Sequence, residues 1–200
     1  MRYVVMIFAL GIISESTALA DPNADAQVKK VLAAAGGREQ LLTRFRMQER
    51  FNSGTERKSP GTLRTSVIES PKFWWVGTRE RGKEPAKVTT WAWTLGILTH
   101  DDSQIAVIPD VTENDMPLAG LRVTGSVDPP LDMYFDKTTQ RLVRMDWSND
   151  IYVFGEYREY DGTVYPVKCT MYKRKTRKPW FHHEIIKMER LAELPENLKR

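Results

Sequence analysis

From Phe45 onward the chain alternates. Phe45, Met47 and Phe51 fall on one face of an extended segment and Arg44, Arg46, Gln48 and Arg50 on the other, the period of two that marks a strand with one wet side. Runs of the same kind recur at Thr62–Glu69, Phe73–Thr78, Val88–Leu98, Gln104–Ile108, Leu118–Thr124, Leu131–Phe135, Leu142–Trp147, Ile151–Glu159, Thr163–Tyr172 and Trp180–Arg190, set apart by turn residues. Asp161-Gly162 and Asp136-Lys137-Thr138-Thr139 carry hairpin chemistry, so neighbouring strands are expected to pair antiparallel without helical crossovers. Ahead of the strands, Ala24 to Ala35 shows no alternation. Val28, Val31, Leu32 and Ala35 share a helical face there, Gly36-Gly37 stops the helix, and Arg38 to Leu42 adds a further turn or two. The pattern predicts an α+β, mainly β chain: a single curved antiparallel sheet or half-open β-barrel with an N-terminal helix packed on its concave face.

The first segment has a different character. Arg2 precedes an apolar run from Tyr3 to Ile13, and polar residues then lead into Ala18-Leu19-Ala20, the small-x-small pattern of a cleavable signal peptide. The run is about half of the roughly 20 residues that a membrane-spanning helix needs. Residues 1–20 are therefore read as a signal peptide and 21–200 as one β domain. Asp21, not a cysteine, would follow the cut, so the exported protein is expected to be free of a lipid anchor, periplasmic or secreted.

Composition adds exclusions. With 41% hydrophobic and 28% charged residues, neither a disordered chain nor a multi-span membrane protein is expected. The net charge of +4 comes from 30 basic and 26 acidic residues intermixed along the chain, which argues against a nucleic-acid partner. Cys169 is the only cysteine, so no internal disulfide forms.

The search for chemistry is mostly negative. His183-Glu184-Ile185-Ile186-Lys187 has Lys187 where a zinc-binding helix motif needs its second histidine, and it lies in a predicted strand, where His182 and Glu184 share a face and His183 does not. His100-Asp101-Asp102 stands alone at a turn. There is no Gly-x-Ser-x-Gly elbow, Cys169 alternates with Val167 and Met171 on an interior face, and Gly36-Gly37 follows a helix instead of preceding one. The chain is thus read as a binding protein and not an enzyme, with no catalytic residue, metal or cofactor. A metal-dependent hydrolase built on His100, Asp101, His182 and Glu184 is the last of the alternatives.

Two features point toward binding. The basic run Lys173, Arg174, Lys175, Arg177 and Lys178, closed by Pro179, forms either a solvated hairpin tip or a contact with an anionic membrane surface or headgroup. All six tryptophans fall in predicted strands, and Trp74 and Trp75 must point to opposite faces. A wide apolar face rich in indole serves as core or as a surface for acyl chains.

Tyr134-Phe135-Asp136-Lys137-Thr138-Thr139-Gln140-Arg141-Leu142-Val143-Arg144 resembles a strand-turn-strand of LolA-like proteins, the periplasmic carriers of outer-membrane lipoproteins. Tyr157-Arg158-Glu159-Tyr160-Asp161-Gly162-Thr163-Val164-Tyr165-Pro166-Val167-Lys168 is similar to a hairpin of the same superfamily, in particular of exported members from planctomycete-type bacteria. The helix followed by Gly36-Gly37-Arg38-Glu39 agrees with them as well. The resemblance implies an open half-barrel with helices over its concave side, an apolar cavity for acyl chains and no catalytic residues. The candidate cavity residues are Phe45, Met47, Phe51, Trp75, Trp91, Trp93, Tyr134 and Phe154. The expected function is that of a monomeric carrier of lipid or of an acylated protein. The alternative is an envelope protein-interaction or scaffold module whose concave side is filled by core side chains.

Overall fold

Helix α1 (Pro22–Ala34) starts on a proline, whose missing N–H costs nothing in a first turn. It stops where the Gly37 N–H reaches back 2.8 Å to the Leu32 carbonyl. The computed structural model describes residues 22–57, 60–82 and 85–198, and the signal segment inferred above lies outside them. Gly36 has φ +107°, and a Cβ there would lie 2.2 Å from the Gly162 carbonyl oxygen, so the helix end rests directly on the tip of a later hairpin. A 3-10 turn, Arg38–Gln40, then leads into the sheet.

The strands are β1 (Arg44–Ser53), β2 (Thr62–Glu69), β3 (Phe73–Val76), β4 (Arg79–Glu80), β5 (Gln104–Glu113), β6 (Met116–Thr124), β7 (Leu131–Asp136), β8 (Leu142–Trp147), β9 (Asp150–Tyr160), β10 (Thr163–Lys173) and β11 (Pro179–Arg190). They form one 11-stranded antiparallel sheet in the order β4-β3-β2-β1-β11-β10-β9-β8-β7-β6-β5, which does not close. The expected hairpins are present: Asp161 (φ 47°) and Gly162 (φ 80°) turn β9 into β10, and the Asp136 side chain accepts a 3.1 Å bond from the Thr138 N–H at the turn into β8.

One consequence of this order positions everything else. The two edge strands, β4 and β5, are consecutive in sequence, so the chain between them must cross the sheet from edge to edge. That crossing carries helix α2 (Pro85–Trp93) and a 3-10 turn, Gly96–Thr99. The strand expected over Val88–Leu98 is therefore corrected to a helix and turn, and the N-terminal helix is one of two covering elements. The physical reason is burial on all sides: Thr89, Thr90, Trp91, Ala92 and Trp93 are all buried, so the segment shows no amphipathic stripe, and its β-branched and aromatic residues mimic a strand. Gly96 allows the sharp end of the crossing, because a Cβ there would meet the Trp91 indole at 2.7 Å.

Both helices pack on the inner face of the sheet. Val31 and Leu32 of α1, Trp93 of α2 and Ile97 of the turn share one core with Phe45, Leu121, Met133, Met145 and Tyr165. Trp93 meets Tyr165 edge-on at 5.7 Å, and the Tyr165 hydroxyl accepts the Leu42 N–H at 2.9 Å, which ties α2 to the sheet and to the entry of β1. Leu118, Tyr134 and Val143 form a separate small cluster. Register places it on the outer face, since Tyr134 is the Cα partner of Arg144 and its neighbour Met133, paired with Met145, belongs to the inner core.

Candidate ligand cavity

Packing leaves a gap on the inner face. Between α2 and strands β1, β2, β3, β9, β10 and β11 lies a cavity of about 350 Å³. Its apolar wall is made by Met47, Trp74, Trp93, Phe154, Met171 and Ile185. The cavity runs to the end of the sheet where Asp150, Met171, Trp180 and Phe181 are part-exposed and form one mouth, and Pro85 at the start of α2 is exposed on its wall as well.

The inner face is not uniformly apolar. Alternation along β1 brings Phe45, Met47, Glu49 and Phe51 to the same side, and Glu49 is 1% exposed. The Glu49 carboxylate receives Arg64 Nε at 2.9 Å and Ser66 Oγ at 2.7 Å on Oε1, and Arg64 Nη2 at 3.0 Å on Oε2. His183 Nε2 lies 2.5 Å from Oε2. These groups come from three adjacent strands: Glu49 is the Cα partner of Arg64 on β2, and His183 pairs with Phe51 from β11. Burial by itself would raise the Glu49 carboxyl. The hydrogen bonds and charges of His183 and Arg64 outweigh it and hold the pKa at about 2. The Arg64 guanidinium also lies 4.8 Å from the ring centroids of both Phe51 and Trp74.

Cys169 faces His183 across the β10–β11 pair and lines the same cavity. Burial pushes its thiol well above the usual range, with the Arg57 charge only partly opposing, so it is a poor nucleophile.

Of the eight residues proposed from sequence, Met47, Trp93 and Phe154 are on the cavity wall. Phe45 and Trp91 are buried in the core beside it, and Phe51 stacks on Phe181 at 5.6 Å near the mouth. Trp75 and Tyr134 sit on the outer face: Trp75 is the partner of Val67, whose own partner Arg46 points away from Met47. The indole on the wall is that of Trp74. Glu49, Arg64, Trp74 and His183 were not among the sequence candidates. The signal available for them was Glu49 itself, an acidic residue at an inner-face position of an otherwise apolar alternation.

The basic hairpin joins β10 to β11 at the cavity's mouth. Lys173 Nζ binds Asp150 at 2.8 Å and lies 4.1 Å from the Trp180 ring centroid, while Trp180 Nε1 donates to the same Asp150 oxygen at 3.0 Å. Arg174 reaches Asp146 at 4.0 Å. Lys175, Arg177 and Lys178 make no ion pair among the described residues. Of the residues of the hydrolase reading, Glu184 binds Arg50 at 3.2 Å, His182 Nδ1 lies 3.3 Å from the Thr170 hydroxyl, and His100 is 3.7 Å from Asp102. Among the described residues no three His, Cys, Asp or Glu side chains form a group able to hold a metal.

No protein-family model matches the chain, and no curated protein matches it in sequence. Solved structures do match in shape. A domain from Vibrio parahaemolyticus described as an outer-membrane lipoprotein-sorting protein superposes with a TM-score of 0.53 at 9% identity, over 88% of this chain and 95% of its own. A LolA superfamily protein from Nitrosomonas europaea gives 0.51 at 11% identity, over 86% and 95%. The chain has the LolA-like fold. A DUF1329 family protein from Desulfovibrio piger, at 0.51 and 8% identity over 86% and 95%, shares it. At these identities the likeness of the LolA-like chain to its neighbours is one of fold.

Proposed function

We propose that this LolA-like chain is a non-catalytic binding protein of the cell envelope that takes an acyl chain, from a lipid or a lipid-modified protein, into the cavity under α2. The observation that carries the reading is the gap itself: the inner face is not filled by side chains, and much of its wall is apolar, with Met47, Trp74, Trp93, Phe154 and Ile185 along it. Burial of apolar surface at roughly 25 cal/mol per Å² drives uptake. A volume of about 350 Å³ falls in the ~300–1,000 Å³ range of ligand sites.

The signal segment read in residues 1–20 supports an envelope location, and the lipoprotein-sorting description of one structural neighbour agrees with such a cargo. The basic hairpin, at the cavity mouth, would meet anionic headgroups as the ligand passes. A filled scaffold module is the weaker reading because of the gap.

Uptake of a fluorescent fatty acid tests this. Ala86 lines the cavity from α2, and Ala86→Trp would fill it. The wild type is expected to bind the probe at about equimolar ratio and Ala86→Trp to lose at least about tenfold in affinity. Equal uptake by both would contradict the assignment.

A further inference from the structure

The polar patch on the cavity wall has an imbalance that points to a ligand. An ionised carboxylate offers about four lone-pair positions, and on Glu49 all four are taken, by Arg64 Nε, Arg64 Nη2, Ser66 Oγ and His183 Nε2. Arg64 carries five N–H donors, of which Glu49 engages two. Both N–H groups of its Nη1 therefore remain for another acceptor. Trp74, whose ring lies against the Arg64 guanidinium, is 5% exposed, and its Nε1 has no acceptor either. Arg64 and Trp74 both line the cavity, and the acceptor positions of the Glu49 carboxylate beside them are taken; the other carboxylate of the wall, Asp150, lies toward the mouth, where it accepts from Lys173 and Trp180. The Trp74 Nε1 is a buried donor without a partner, which is costly, and Arg64, part-exposed, keeps its Nη1 free beside it; an acceptor-rich ligand group would meet both.

The position of the patch is as informative as its chemistry. Along β1 the inner face runs Met47, Glu49, Phe51, from the cavity floor toward its mouth, and along β11 it runs Ile185, His183, Phe181. The polar row thus stands between Met47 and Ile185 on its inner side and the stacked pair Phe51 and Phe181 toward the mouth, a place for the head of an amphiphile whose chain lies inside. A methylene group is about the size of a liquid water molecule, ~30 Å³, so the cavity holds roughly a dozen. That is one chain and not several.

We propose that the ligand is a single-chain amphiphile with an acidic, acceptor-only head, a carboxylate or a phosphate monoester. The head binds Arg64 and Trp74, and the chain lies against Met47, Trp93, Phe154 and Ile185. The assignment rests on the reading of the cavity as an acyl-chain site and adds the class of headgroup. The Arg57 charge, which already acts on the Cys169 thiol in the same wall, favours the same sign of ligand.

The test is displacement of a fluorescent fatty acid from the purified protein by dodecanoate, dodecyl phosphate and dodecylamine, with dodecanol as the neutral reference. Either anion should bind at least about tenfold more tightly than the amine. The tighter of the two tells whether the head is that of a free fatty acid or of a phosphate-bearing lipid. A double variant, Glu49→Gln with Arg64→Met, removes the charge pair as a unit and should bring anion and amine within about twofold of each other, read as the ratio of the two within that variant. If the amine binds as well as the anions to the wild type, or if the preference survives in the double variant, the headgroup assignment is wrong and the acyl-chain reading stands. If neither the probe nor any of the four binds, both fall together.

Discussion

The His183 imidazole and the Glu49 carboxylate meet at 2.5 Å diagonally across the β1–β11 pair, on the wall of the cavity. With Arg64 and Ser66 they fasten β2, β1 and β11 together where the first and last strands of the sheet join. This makes the join sensitive to acid. The Glu49 carboxyl has a pKa of about 2 in the folded chain against an ordinary 4.5, so its stabilisation is fully present above pH 4.5 and is lost as the pH falls toward 2. At about 1.4 kcal/mol per pH unit the difference corresponds to roughly 3 kcal/mol. Glu49→Gln should lower stability by about that amount at pH 7 and by little near pH 2, as read from urea midpoints across the range.

Trp74 and Trp75 should respond oppositely to substitution. Trp74→Leu removes part of the cavity wall and is expected to weaken fatty-acid uptake about fivefold or more. Trp75→Leu, on the outer face but fully buried, should leave uptake within about twofold and cost a few kcal/mol of stability. Probe titration beside thermal unfolding separates the two.

Much of this was legible in the sequence, and the failures have physical causes. Thr62–Glu69 and Leu142–Trp147 match the observed strands residue for residue, because period-two alternation and turn chemistry are local signals. The segment Val88–Leu98 was misread because total burial erases the helical stripe. Trp75 was preferred to Trp74 because alternation says that two neighbours face opposite ways but not which of them faces in. That choice depends on register with β2 and β1, a long-range property. The polar cluster was missed for the same reason, since Glu49, Arg64 and His183 are far apart in sequence and meet only through strand pairing.

Cys169 provides a native reporter. Its thiol is buried and its pKa is raised by that burial, so maleimide labelling of the native protein should run at least about tenfold slower than in urea. Since Cys169 is on the cavity wall, a bound fatty acid should slow labelling further. No change on adding saturating ligand would place the ligand elsewhere.

If the basic hairpin meets anionic membranes as proposed, the contact should depend on Lys175, Arg177 and Lys178, because Lys173 is engaged by Asp150. Replacing those three by Gln should reduce co-sedimentation with phosphatidylserine-containing vesicles, at about 1 kcal/mol per charge, and leave the melting temperature unchanged. Wild-type binding should itself weaken as salt is raised.

The most direct measurement of the central claim is native mass spectrometry, with lipid extraction, of the protein purified from its own envelope without detergent. The account predicts a near-stoichiometric adduct with the mass of one acyl-bearing molecule, absent from the Ala86→Trp variant. An unadorned protein mass, with no adduct after later incubation with fatty acids or lysophospholipids, would contradict it.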